Sequence, residues 1–366
     1  MKLRISASLL LSCQWFVWLP AMAQNMLTVP TEVVRVSNPD LAAESRGSVT
    51  LFRIHPQYTL QSFQESSRTE LSLGGMIERS SNTDLSASRT LPSVRALWES
   101  SSPVDVFALR ASLEEASTRE TEFVEFGRVT RDSTQRTGAL GGSWVRNLTA
   151  GSSLDLAVSH TRVSYDTPTL IDYSETLGSG AYRFESSATS RYSLSASVSR
   201  LRPDGVGEPA SRGELGLGYE IDLSESVTMN AAAGAVRTSA ARNRTDPVGD
   251  LRFTYAGERV GFAAEWSREV SASGSLGGYV RSENFDASLT YPFSVNTSLS
   301  LGLAHARSLE ADRDTGTLAY TRIRTELTRF WAATMGLEHR RAKSGGGPVA
   351  RGDSVVVGLV YSHPDF

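Results

Sequence analysis

Histidines, a serine–histidine pair, a glycine run and a scatter of paired charges are what this 366-residue sequence offers for chemistry. His55, His160, His305, His339 and His363 show no H-x-x-x-H or other ligand spacing, so neither a metal site nor a bound cofactor is expected. Ser159 and His160 are adjacent. On a strand their side chains point to opposite faces, and they cannot form a hydrolytic dyad together. No G-x-S-x-G elbow occurs. The run Ser344, Gly345, Gly346, Gly347, Pro348 lacks the Lys-Ser/Thr and following helix that a phosphate cradle needs, and it reads as a flexible loop. Arg351-Gly352-Asp353 matches an adhesion tripeptide that is short enough to arise by chance. Cys13 is the only cysteine, which excludes a disulfide framework and a thiolate metal site. An enzyme is not expected.

The charged residues are the more useful set. In the alternating segments that carry them, Arg53, Arg95, Arg110, Arg183 and Arg252 fall on the polar face, as do Glu99, Glu114, Asp155, Glu265, Asp286 and Glu338. Mixed signs suit pairing across a watery interior better than a strongly ion-selective pore. Two readings stay open: these charges brace and solvate a wide barrel, or they line a path for a hydrated, weakly charged polymer. Arg forks and carboxylates both hydrogen-bond sugar hydroxyls.

The elements that must position them follow from one repeated pattern. Tyr192, Leu194, Ala196 and Val198 alternate with Ser193, Ser195, Ser197 and Ser199, and Leu299, Leu301 and Leu303 with Ser298, Ser300 and Gly302. Strict alternation is a strand with one oily and one wet face. Here the wet face is rich in Ser, Gly and Thr, which suits a barrel interior. Short polar turns are expected near residues 65–68, 100–103, 147–151, 185–187, 223–225, 256–258, 295–297 and 327–329. Longer, more charged connections lie between them, at 80–89, 117–136, 166–175, 202–213, 238–249 and 341–352. The segment 117–136 is long enough to fold inward. Such a rhythm matches short periplasmic turns and long outer loops. Trp98, Trp144, Phe184, Tyr192, Tyr219, Tyr255, Tyr291, Phe330, Trp331 and Tyr361 gather beside the short turns, as interfacial girdles do. In lipid a sheet satisfies its backbone only by closing on itself. The expected fold is therefore all-β, a transmembrane antiparallel barrel of 16–18 strands, with 18 preferred and residues 29–36 supplying the first strand.

The leader agrees with this placement. Lys2 and Arg4 precede an apolar stretch, and Ala21-Met22-Ala23 is a cleavage motif, so residues 1–23 read as a signal peptide and 24–366 as the barrel. A lipoprotein box ending at Cys13 is the alternative, and it leaves the apolar residues 15–19 without a role. Net charge is −3, which gives no footprint for nucleic acid. Mean hydropathy is −0.22, compatible with a barrel that has a polar lumen. The expected partners are outer-membrane lipids and the barrel-assembly machinery of a Gram-negative bacterium. Terminal Phe366 suits assembly, but Pro364 interrupts the alternation that leads to it, and pairing is expected to end at His363.

Several stretches resemble a family: Val33-Val34-Arg35-Val36-Ser37-Asn38-Pro39, Ser117-Thr118-Arg119-Glu120-Thr121-Glu122-Phe123, Ser143-Trp144-Val145-Arg146-Asn147-Leu148-Thr149, Val163-Ser164-Tyr165-Asp166, and Asp172-Tyr173. Their order is similar to outer-membrane β-barrels found with exopolysaccharide and exosortase (PEP-CTERM) systems. The resemblance implies a channel or accessory barrel for exopolysaccharide biosynthesis or export, with polysaccharide as a partner. It implies no catalytic residues. The alternative is a general diffusion porin without a polysaccharide role.

Overall fold

The computed structural model describes residues 23–127, 132–205, 207–239, 243–274, 277–310 and 313–364. All of the expected leader except Ala23, Cys13 included, and the terminal Phe366 lie outside the described residues. The alternating segments form β1 (Ala23–Val36), β2 (Val49–Ile54), β3 (Gln57–Gln64), β4 (Ser67–Ser80), β5 (Arg89–Ser101) and β6 (Asp105–Ser117), followed by one helix, α1 (Thr118–Phe126). Then come β7 (Thr134–Thr149), β8 (Ser152–Tyr165), β9 (Tyr173–Ser187), β10 (Ser190–Pro203), β11 (Ala210–Ser224), β12 (Val227–Ser239) and β13 (Arg244–Ala256). The remainder are β14 (Gly261–Ser273), β15 (Gly278–Pro292), β16 (Thr297–Ser308), β17 (Thr315–Glu326), β18 (Trp331–Lys343) and β19 (Val349–Pro364).

β2 and β3 are two halves of one strand. Both pair with β1 on one side and β4 on the other, with no change of register across His55 and Pro56. Pro56 has no N–H to give to a ladder, and the pairing lapses there. The 19 paired segments of the sheet are therefore 18 strands. Neighbours in sequence pair antiparallel, and β1 pairs with β19 from Met26–Pro364 to Val36–Ser354, which closes the cylinder. Closure leaves no strand edge unpaired, as a lipid surround requires.

Three expectations change. The first strand begins at Ala23 rather than Val29. The last strand continues to Pro364, which pairs with Met26 at the very tip. A proline costs little there, because the ladder needs no donor beyond it. The connections expected over 202–213, 238–249 and 341–352 shrink to 204–209, 240–243 and 344–348, and Arg351-Gly352-Asp353 lies within β19, not in a loop. Asp353 is tied to His339 of the neighbouring strand, with Oδ1 2.7 Å from Nδ1.

The two faces separate sharply. Leu140, Val158, Val198, Leu215 and Leu217 are among the most exposed side chains, Leu217 at 67%. A water-soluble domain would bury them. Here they form the outer surface of the cylinder, where lipid replaces water. The inner face of β10 and β11 carries Ser193, Ser195, Ser197, Gly216 and Gly218. At the short-turn end the aromatics meet in pairs, Tyr192 on Tyr219 with ring centroids 4.8 Å apart and Trp331 on Tyr361 at 5.0 Å. Trp144 Nε1 donates to Asp105 Oδ1 over 2.8 Å, so its polar tip is satisfied at the rim. Among the described residues no helix is long and apolar enough to cross a membrane.

Candidate pore constriction

The β6–β7 connection does not stay outside. Its helix α1 touches β6 on one wall and β15, β16 and β17 on the opposite one, so it crosses the bore. A nine-residue helix is marginal alone and is held by what it docks against. Its ends are cinched by Thr118, whose N–H donates to Ser133 O over 3.0 Å and whose hydroxyl accepts from Ser133 N–H over 3.2 Å. It stops at Gly127, in the left-handed region at φ 64°, with the Gly127 N–H returning to Phe123 O over 3.0 Å. Gly127 also lies against Gly316 of β17. A Cβ on Gly127 would overlap Gly316 N and Ala306 O, and one on Gly316 would stand 2.8 Å from Gly127 Cα. Phe123 fills a pocket of Leu41, Ala342, Ala350 and Leu318. Phe123 and Phe126 are both buried, which contributes roughly 1.5–3 kcal/mol each.

On one flank α1 is bound by ion pairs. Arg53 Nε meets Glu78 Oε2 at 2.7 Å, and its Nη2 reaches Glu120 Oε1 of α1 at 3.1 Å. Glu78 also takes Arg89 at 3.2 Å. Arg89 binds Asp132, which in turn lies 4.0 Å from Arg119 of α1. Arg119 Nη2 donates to Asp40 Oδ1 over 2.7 Å. Only about 90 Å³ of cavity remains among these groups. Burial alone would raise the Asp132 pKa. The hydrogen bonds from Arg89 and the Ala87 N–H, with the charges of Arg119 and Arg89, hold it below the usual carboxylate range.

The other flank is packed with rings and aliphatics. Leu201 is 0% exposed among Val163, Tyr173 and Ala210, with Tyr165 and Tyr279 against them. Tyr279 OH donates to Glu175 Oε1 over 2.9 Å and is 2.6 Å from Ser199 Oγ. These contacts join β15 to β9 and β10, and they narrow the same end of the bore. Glu125 of α1 is pushed above its ordinary pKa by burial and by the charge of Glu269.

The opposite end is open. A cavity of about 1020 Å³ lies among the short turns, with Arg183, Glu185, Arg191, Glu220, Asn230 and Asp250 on its walls.

The charges singled out in the sequence are spread around this cylinder, not gathered at one point. Arg95 pairs with Glu114 at 2.7 Å and Arg183 with Asp155 at 2.8 Å. Arg252 Nε donates to Glu265 Oε2 over 2.9 Å, and Glu265 stands opposite Asp286 in the ladder. Glu338 holds Arg340 at 3.3 Å and Arg322 at 3.8 Å. Glu99 lies opposite Arg68 in register. Arg110 has no ion pair among the described residues. Arg53 joins the ion-pair network around α1, and Glu338 lines the same cavity. Sequence reasoning passed over Asp40, Glu78, Arg89, Arg119, Glu120 and Asp132. Arg119, Glu120 and Asp132 lie in the long charged segment 117–136 and Arg89 ends the connection expected over 80–89, whereas Asp40 and Glu78 carry no such mark.

No family model matches the sequence, and no curated protein sequence matches it. Solved structures match its fold. OpdQ of Pseudomonas aeruginosa has a TM-score of 0.53, covering 95% of this chain and 100% of its own at 8% identity. OccK2 (OpdF) of the same organism, in complex with glucuronate, reaches 0.55 over 94% of this chain and 99% of its own at 12% identity. OpdK with vanillate reaches 0.52 over 94% and 99% at 10% identity. Nothing in these comparisons supports the exopolysaccharide and exosortase association that the resemblance implied. At such identities the likeness is one of fold: a closed 18-strand antiparallel barrel matching outer-membrane porins.

Proposed function

We propose that this chain is a diffusion porin of a Gram-negative outer membrane, passing small hydrophilic solutes rather than a polymer. The observation that carries the reading is the combination of a polar, charge-lined bore with a helix that crosses it. Eighteen strands leave room for an aqueous lumen. A thick polysaccharide chain would have to displace α1 and break its ion pairs, whereas a small solute needs only a gap beside it. The lining carries both signs, with Arg53, Arg95, Arg110, Arg183 and Arg252 interspersed with Glu99, Glu114, Asp155, Glu265, Asp286 and Glu338, so weak ion selectivity is expected. Two neighbours were solved with vanillate and with glucuronate. Both are small carboxylates, and Arg110, which has no ion pair among the described residues, offers its fork to such a group. Residues 1–23 serve as the export signal, and insertion depends on the barrel-assembly machinery. The chain acts without a cofactor and without catalysis.

Purified protein in planar bilayers should give discrete conductance steps, and liposomes containing it should swell in small sugars. A barrel that inserts yet shows neither conductance nor swelling would refute the porin reading.

A further inference from the structure

The outer surface changes character at the long-loop end of β16 to β19. On β18 the exposed Trp331, Met335 and Leu337 are followed, at the same parity, by His339, Arg341 and Lys343. On β16 exposed Leu301 and Leu303 give way to His305 and Arg307. On β19 exposed Leu359, Val357 and Val355 lead to Asp353 and Arg351. The registers place these bases side by side. Arg341 stands directly opposite Arg351, and Lys343 is two residues further along the same face. Thr317 separates Arg341 from His305, and Thr315 separates Lys343 from Arg307. All four cationic side chains are exposed.

Among the described residues of β16 to β19 this cluster has no carboxylate left to balance it. Asp353 is the one carboxylate on this face of β16 to β19, and it is taken by His339, while Glu283 of β15 stands opposite Arg307 and lies 3.7 Å from Arg268. Arg307, Arg341, Lys343 and Arg351 make no ion pair with any described residue. Like charges directly opposite on a ladder are destabilising, so an Arg341–Arg351 pair calls for an external anion. Aliphatic side chains begin two steps below Arg307, Arg341 and Arg351, about 14 Å along the strand and beyond His305, His339 and Asp353. A ligand that satisfies both levels carries phosphate above and acyl chains beneath. Arginine forks and threonine hydroxyls suit phosphate oxygens.

We propose that Arg307, Arg341, Lys343 and Arg351 form a docking site for the phosphate groups of a phosphorylated glycolipid in the outer leaflet. The site rests on the membrane placement argued above, since only a lipid anchored beside the barrel presents its phosphate at this height. It is independent of what passes through the lumen.

The test uses the full barrel in nanodiscs of neutral phosphatidylcholine, with fluorescent lipid A as probe and dephosphorylated lipid A and inorganic phosphate as competitors. The intact protein should bind lipid A and be displaced weakly by the dephosphorylated form. Arg341→Gln, Lys343→Gln and Arg351→Gln combined should weaken binding roughly a hundredfold, at about fivefold per charge. Arg95→Gln, on the inner face, should leave it unchanged. Equal binding of the phosphorylated and dephosphorylated lipids, or undiminished binding by the triple variant, overturns the site while leaving the membrane placement intact. Full displacement by inorganic phosphate at equal concentration also overturns it, because the occupant is then a free anion. A barrel that does not enter neutral bilayers at all overturns the placement and the site together.

Discussion

The two ends of this barrel are built from the same alternating strands, yet one is filled and the other is open. At the short-turn end about 1020 Å³ is free among Arg183, Arg191, Glu220 and their neighbours. At the long-loop end the network around Arg53 and Glu78 leaves about 90 Å³. Strand composition makes part of this difference, since Leu201, Tyr173 and Tyr279 narrow the long-loop end from the wall. One connection makes the rest. The segment between β6 and β7 turns inward, and Gly127 against Gly316 lets its backbone reach the far wall. Bore size here is set largely by a loop, within the bounds of the cylinder.

The largest expected effect comes from removing that asymmetry. Replacing residues 118–133 with a short Gly-Ser turn should raise single-channel conductance several-fold in planar bilayers, because the narrow end then approaches the width of the open one. Gly316→Val should go the same way by a different cause: it leaves the helix intact and denies it its seat. If both variants conduct like the parent, α1 does not limit flow.

Next in size is the loss of Glu78. This carboxylate is 2% exposed and holds both Arg53 and Arg89. Glu78→Gln leaves two largely buried guanidinium groups short of a counter-charge, which costs about 3 kcal/mol. The loss should show as a lower midpoint in guanidinium unfolding of the lipid-inserted barrel. Because Arg53 reaches Glu120, and Arg89 reaches Arg119 through Asp132, noisier channel openings should accompany it.

Much of this was legible in the sequence, and the limit has a physical cause. Alternation is local, so strands such as β10 and β16 could be read directly, and the eight short turns fell within a few residues of their expected places. Closure by 18 strands followed from backbone satisfaction and the parity of the termini. The expected lumen residues were chosen by alternation alone, and that rule sees only the wall. It cannot show which loop enters the bore. Glu78 and Arg89 are neighbours in the β4–β5 ladder, but Asp40 and Asp132 join them only because α1 folds inward, and nothing periodic marks that. Arg351-Gly352-Asp353 was misplaced for the opposite reason: glycine and charge resemble a loop locally, but pairing with β18 continues the strand.

Acid should act on the two flanks of α1 in opposite directions. Glu125 titrates above its ordinary 4.5, so its folded form favours the proton. Its contribution to docking is complete below 4.5 and is lost as pH rises through the raised value. Asp132 titrates below its ordinary 3.8, so its contribution is present above 3.8 and disappears as pH falls through the lowered value. Conductance should therefore fall on mild acidification and recover only in strong acid. Glu125→Gln should abolish the first phase and keep the second. A monotonic curve in the parent protein would show that the two groups do not act on the same helix.

The smallest effect is expected at the wall itself. Arg252 and Glu265 form a pair with side chains 55% and 40% exposed, and Arg95 and Glu114 are similarly open to solvent. Exposed pairs contribute less than about 1 kcal/mol. Arg252→Gln should thus leave unfolding almost unchanged. It would still alter the lumen, because Glu265 stands beside Asp286 in the ladder and Arg252 is the base that faces them. Removing that base exposes two adjacent carboxylates, so reversal potentials in a salt gradient should move modestly toward cation preference. A shift as large as that from deleting α1 would mean that the wall, and not the inward loop, governs what passes.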